Sequence, residues 1–128
     1  MDFSFSKKEK LKSKKLIDQL FAEGKQFNHF PLKLIALKTS FDEDVNVKTM
    51  VIVPKKRFKS AVKRNRIKRL LREAYRLNKP LVFNNIEGNY AFAILYLGKE
   101  MPDFQLIDKK MKGLLEKFIK KIPHEQAP

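Results

Sequence analysis

The stretch Lys55-Lys56-Arg57-Phe58-Lys59-Ser60-Ala61-Val62-Lys63-Arg64-Asn65-Arg66-Ile67-Lys68-Arg69-Leu70-Leu71-Arg72-Glu73-Ala74-Tyr75-Arg76-Leu77 organises the rest of this chain. It holds eleven basic residues against one acid, Glu73, so +10 of the formal net charge of +15 lies between Lys55 and Arg76. Ser60 to Leu77 predicts a helix, closed by Asn78 and Pro80. On a helical wheel, Ile67, Leu70, Leu71, Ala74 and Leu77 form one apolar stripe. Asn65, Lys68, Arg69, Arg72 and Arg76 cluster on the opposite side, with Arg64 and Arg66 flanking the stripe and Lys63 one turn before Ile67. One face of this helix docks on a core, and the other carries charge.

An ordinary solvated face mixes signs, because like charges at i, i+4 repel by a few tenths of a kcal/mol. Lys68, Arg72 and Arg76 form a ladder of such repulsions. Arginine outnumbers lysine in the helix, and its planar fork matches phosphate oxygens with paired hydrogen bonds. A phosphate-bearing partner is therefore expected. A membrane-surface helix would leave its apolar stripe free for lipid, whereas neighbouring elements claim this one. Major-groove reading of DNA would call for a second short helix a tight turn upstream, and none is legible. A rigid cationic surface suits shape-based recognition of RNA.

Outward from the basic stretch, the chain reads as one α+β domain over residues 1–128, with a core from about 10 to 122. Ser13 caps a first helix bearing Leu16, Ile17, Leu20 and Phe21, and Gly24 stops it. Leu32 to Lys38 and Val47 to Val53 are strand candidates expected to pair as a long-looped hairpin, with Pro54 ending the second. Tyr90 to Leu97, nearly all apolar, predicts a central strand buried on both faces. Asp103 caps a last helix through Ile107, Met111, Leu114, Leu115, Phe118, Ile119 and Ile122, followed by a frayed tail from His124. The order is roughly α-β-β-(β)-α-β-α around a small, mainly antiparallel sheet.

The 128 residues include no cysteine, which removes thiol catalysis and cysteine-ligated zinc and fits a reducing compartment. Lysines follow Met1 to Ser6 where a secretory signal would have an apolar run. The longest apolar run, Ala91 to Leu97, falls far short of the ~20 residues a membrane helix needs. A cytoplasmic protein with no membrane partner is expected. Catalytic chemistry is not legible: His29 and His124 stand far apart, and Asp42-Glu43-Asp44 reads as a solvated loop rather than a cation site. No catalytic residue, protein-held metal or cofactor is therefore assigned.

The run Lys56 to Glu73, with two basic residues, a short spacer, Ala61-Val62 and then Arg64-Asn65-Arg66-Ile67-Lys68-Arg69-Leu70-Leu71-Arg72, resembles the protein subunit of bacterial ribonuclease P. The match is ungapped, and the likeness extends over about residues 10 to 120, including Leu20-Phe21-Ala22-Glu23-Gly24 at the end of the first helix. The resemblance implies an RNA subunit that is the ribozyme, and a protein that assists removal of the 5′ leader from precursor tRNA. It implies that Lys63, Arg64, Asn65, Arg66, Lys68, Arg69, Arg72 and Arg76 contact the catalytic RNA. It further implies a leader cleft between the first helix and the sheet, a left-handed β-α-β crossover, magnesium brought by the RNA and no obligate protein partner.

Strand parity puts Lys33 and Ile35 together on one face, which is expected to border that cleft with Ile17, Phe21, Lys55, Lys56 and Arg57. Phe21 has two readings, core residue or stacking surface for a base. Two positions depart from the family pattern. Lys59 stands where a glycine is common before the helix, and Ile17 replaces the first of two aromatics. Two other functions fit the basic helix, a ribosomal RNA-binding protein and a stand-alone nuclease.

Overall fold

Alternation within one strand decides the layering. Tyr90, Phe92, Ile94 and Tyr96 point to one side of Asn89–Tyr96, while the smaller Ala91 and Ala93 point with Leu95 to the other. A computed structural model describes residues 5–41 and 44–126. Among them, α1 (Lys14–Glu23) leads into β1 (Lys25–His29) and β2 (Leu32–Thr39), followed by β3 (Val47–Ile52). Then come α2 (Ala61–Phe83), β4 (Asn89–Tyr96) and α3 (Phe104–Gln126). The sheet order is β1-β2-β4-β3, with β1–β2 and β2–β4 antiparallel and β3–β4 parallel.

The expected hairpin of β2 with β3 does not form. β4 lies between them, and β2 takes β1 as its hairpin partner instead. The reason is burial: β4 is apolar on both faces, which favours the sheet centre. The helical crossover α2 then returns the chain parallel to β3. β1 was not legible as a strand, since in Lys25-Gln26-Phe27-Asn28-His29 only Phe27 is buried.

The closed face of the sheet carries Leu32, Leu34, Ala36, Tyr90, Phe92 and Ile94 into the main core, where Ile67 and Leu71 of α2 meet Met111, Leu114 and Phe118 of α3. Phe92 and Phe118 stack edge-to-face at 4.9 Å. The open face carries Ile35, Ala91 and Ala93 beneath Leu20 of α1 and Leu11, bordered by half-buried Ile17, Met50, Ile52 and Leu95. No helix among the described residues is long and apolar enough to cross a membrane.

Local signals set most helix ends. Ser13 Oγ accepts from Leu16 N, Ser60 Oγ from Lys63 N, and Asp103 Oδ1 from Leu106 N at 2.8 Å. Gly24 ends α1, its N–H donating to Leu20 O at 2.8 Å. A Cβ there would sit 2.6 Å from Ile35 Cγ2, so only glycine lets the helix end this close to the sheet. Two expected ends move. α2 runs through Pro80 to Phe83, because proline removes a single donor while Val82 is fully buried and Asn84 N–H still reaches Pro80 O. The backbone of α3 continues to Gln126, two residues past the start of the expected tail; Ala127, Pro128, Met1 to Ser4, and Asp42 and Glu43 of the acidic cluster lie outside the described residues.

Candidate nucleic-acid interface

α2 presents its charge because its other side is fixed at several points. Ile67, Leu71, Ala74, Tyr75, Asn78 and Val82 are buried, a stripe that drifts around the helix and leaves Leu77 41% exposed rather than in the core. Asn78 Nδ2 donates to Asp108 Oδ1 at 2.8 Å and to Ala74 O at 2.7 Å, joining α2 to α3. Lys79 Nζ meets Glu9 Oε1 at 2.7 Å in a nearly buried pair. The second Glu9 carboxylate oxygen accepts from Ser6 N at 2.8 Å, so the clamp reaches from α2 to the N-terminal segment. Burial pushes the Tyr75 hydroxyl well above the usual phenol range.

With that side fixed, Asn65, Arg66, Arg69 and Arg72 are exposed on the outer face, Lys68 is half-buried at its edge, and Lys63 is exposed in the first turn on the side of Ile67. Arg66, Arg69 and Arg72 make no ion pair among the described residues, which leaves like charges adjacent on a rigid element. Arg76 differs. Its guanidinium binds Glu73 at 2.6 Å, and the hydrogen bond from Arg76 holds the Glu73 carboxyl below its ordinary value. That pair marks the C-terminal limit of the cationic face.

Arg64 also departs from a simple surface role. Its Nη1 donates to Phe58 O at 2.7 Å and to Lys59 O at 2.9 Å, tying the helix to the loop before it. These two bonds hold the backbone of the loop at Phe58 and Lys59. Phe58, absent from the sequence-derived site, is buried with its ring 6.1 Å from Tyr96, and it anchors a loop whose Lys55, Lys56 and Arg57 are exposed. The available signal was a single aromatic inside a run of cations.

On the open face, strand register lines up rows across three strands. Lys33 of β2, Leu95 of β4 and Ile52 of β3 form one row, all half-buried; Ile35, Ala93 and Met50 form the next. The parity expectation for Lys33 and Ile35 matches this arrangement, yet their surroundings differ. Ile35 is buried under Leu20 and Gly24 and forms floor rather than free surface. Ile52 ends this row at the edge strand, and the basic loop follows it in the chain after Val53 and Pro54. Phe21 is 46% exposed on α1, not in the core, and Ile17 packs half-buried against the open-face cluster. A groove lined by Pro54, Lys56, Arg57, Leu97 and Lys99 adds a cation from beyond β4 that sequence spacing could not associate with this site. Among the described residues, no three His, Cys, Asp or Glu side chains gather to hold a metal ion.

The family model described as Ribonuclease P matches residues 5–119. The chain is 37% identical over 124 residues to the ribonuclease P protein component of Porphyromonas gingivalis, covering 94% of this chain and 90% of that protein. It is 36% identical over 125 residues to the corresponding protein of Chlorobium phaeobacteroides, covering 88% and 86%. Its fold is similar to the RNase P protein from Thermotoga maritima, with a TM-score of 0.67 and 25% identity over 85% of this chain and 96% of that one. The Staphylococcus aureus RNase P protein has the same fold, with a TM-score of 0.68 and 17% identity over 86% and 94% of the two chains.

Proposed function

The chain belongs to the ribonuclease P family and is a protein subunit of that enzyme, and on that footing we propose that its two exposed surfaces hold two different RNAs. The outer face of α2, through Asn65, Arg66, Lys68, Arg69 and Arg72, docks on the RNA subunit together with Lys63 of the first turn. Arg64 orients that face by fixing the preceding loop, and Arg76 serves at its paired edge. The open face holds the single-stranded 5′ leader of precursor tRNA. There Phe21 offers a ring for stacking, Ile17 and Lys33 line the trough, Lys55, Lys56 and Arg57 meet phosphates, and Ile35 supports α1 from below.

The observation that carries this reading is the set of adjacent cations on α2, exposed on a helix whose opposite side is locked by Asn78, Lys79 and the core. Arginine and lysine neutralise phosphates but rarely move protons, so the protein's contribution is electrostatic and positional. Catalysis then belongs to the RNA subunit, which brings its own magnesium ions, and the complex works in the cytoplasm. Bringing two polyanions together carries a repulsion that clustered cations offset, and each phosphate neutralised releases counterions.

Reconstitution tests the reading. Purified protein, bacterial ribonuclease P RNA and a precursor tRNA are combined at physiological salt. Faster cleavage and tighter leader binding are expected with the protein than without it. Cleavage by the protein alone would establish a stand-alone nuclease, and no gain over RNA alone would refute the proposed roles.

A further inference from the structure

The turn joining β1 to β2 places Phe30, 72% exposed, on a groove of about 560 Å³ from whose lining the roles above use Arg57 alone. Tyr96, Met101 and Leu106 line it with Phe30, and Met101 and Leu106 are themselves more than a third exposed. Arg57, Lys99 and Lys110 supply three cations to the same groove, against Glu100 as the one acid. Its shape is held from inside. The Tyr96 hydroxyl donates to Glu100 O at 2.7 Å, and a side chain at Gly98 would collide with that hydroxyl. Leu97 N–H bonds Pro31 O at 2.7 Å, tying the turn that bears Phe30 to the end of β4.

We propose that this groove is a subsite for an unpaired nucleotide, with the base stacked on Phe30 and the adjoining phosphates met by Arg57, Lys99 and Lys110. The combination of ring and cations selects this occupant. An apolar protein segment would gain nothing from three cations, whereas a nucleotide needs both a flat apolar surface and positive charge. Arg57 and Lys99 also line the groove that includes Lys56, so one strand can pass from the basic loop to Phe30 without leaving positive surface. The local field agrees: besides partial burial, Lys117 and Lys110 hold the neighbouring His29 below its ordinary pKa.

The inference rests on the RNA-binding reading of the chain, and its test is separable from that reading. The protein has three tyrosines but lacks tryptophan, so Phe30→Trp supplies a single indole at the platform, excited selectively at wavelengths beyond tyrosine absorption. Titration with a short oligouridylate should quench it, and Phe30→Ala should weaken that oligonucleotide roughly fivefold or more while Phe30→Tyr keeps wild-type affinity. A duplex of equal length, its bases already stacked, should bind Phe30→Ala and wild type alike. In the reconstituted enzyme, a raised KM confined to long-leader precursors would identify the nucleotide as substrate. Weaker binding of the RNA subunit would place it there instead, and either result supports the subsite. An unquenched Phe30→Trp with unchanged oligonucleotide affinity in Phe30→Ala overturns it. So does concentration-dependent self-association that Phe30→Ala abolishes while oligonucleotide affinity stays unmoved. Wild-type protein that fails to stimulate precursor cleavage would refute the earlier reading while leaving the oligonucleotide titration interpretable.

Discussion

On the closed face of the sheet β4 presents Tyr90, Phe92, Ile94 and Tyr96 to two long helices, whereas on the open face the same strand presents Ala91, Ala93 and Leu95 to one short helix. Closed-face rings interlock at 4.9 to 5.2 Å around Phe118. The open face ends in half-buried Lys33, Leu95 and Ile52 beside a cationic loop. Stability is concentrated where side chains are large and covered. Small residues under α1 keep the opposite surface low, as the proposed leader site requires.

Truncations should separate the faces by size of effect. Phe92→Ala removes a fully buried ring and should lower stability by about 3–5 kcal/mol. Ile52→Ala on the open face should lose less than about half of that, as denaturant unfolding would show. Equal losses would break the comparison. Lys79→Met leaves the Glu9 carboxylate buried without its partner and should also destabilise by about 3–5 kcal/mol. The charged face of α2 should respond in the opposite way. Arg69→Glu with Arg72→Glu should keep the melting temperature while binding of the RNA subunit collapses and its log–log salt slope flattens by about 2. An unchanged slope would remove that face from the interface.

Smaller effects sharpen the open face. Phe21→Ala should shift stability by less than about 0.5 kcal/mol, given its exposure, yet weaken a leader oligonucleotide roughly fivefold in a binding titration. Smallest of all is Glu73. Because Arg76 depresses its pKa, the pair contributes stability above the unfolded carboxyl's 4.5 and loses it as pH falls through the lower folded value. Side-chain NMR should find the Glu73 midpoint below 4.5, and Arg76→Ala should return it there.

Much of this was readable in the sequence because local physics decides it. Ser13, Gly24, Ser60 and Asp103 act on their own helix ends, and the unbroken apolar run of β4 fixes its central place. What escaped depended on partners distant in sequence. Pro80 stays helical because Val82 and the Glu9 clamp hold the turn around it. β2 and β3 are kept apart by a strand that comes later in the chain. For the interface, the motif located α2 and its charge, while Arg64's hold on the loop, Phe58's anchoring and Lys99's proximity emerged only in three dimensions.

The position of β4 between β2 and β3 also has a temporal side. As the chain leaves the ribosome, β1 and β2 can pair at once, but until β4 has been made β3 has only the single bridge of Thr49 to Lys10 and the bond from Leu11 N to Thr49 O. Throughout that interval the cations of α2 are present without the helix and sheet that later order them. Long-range pairing of this kind slows folding. The strand that arrives last is the one that completes the sheet.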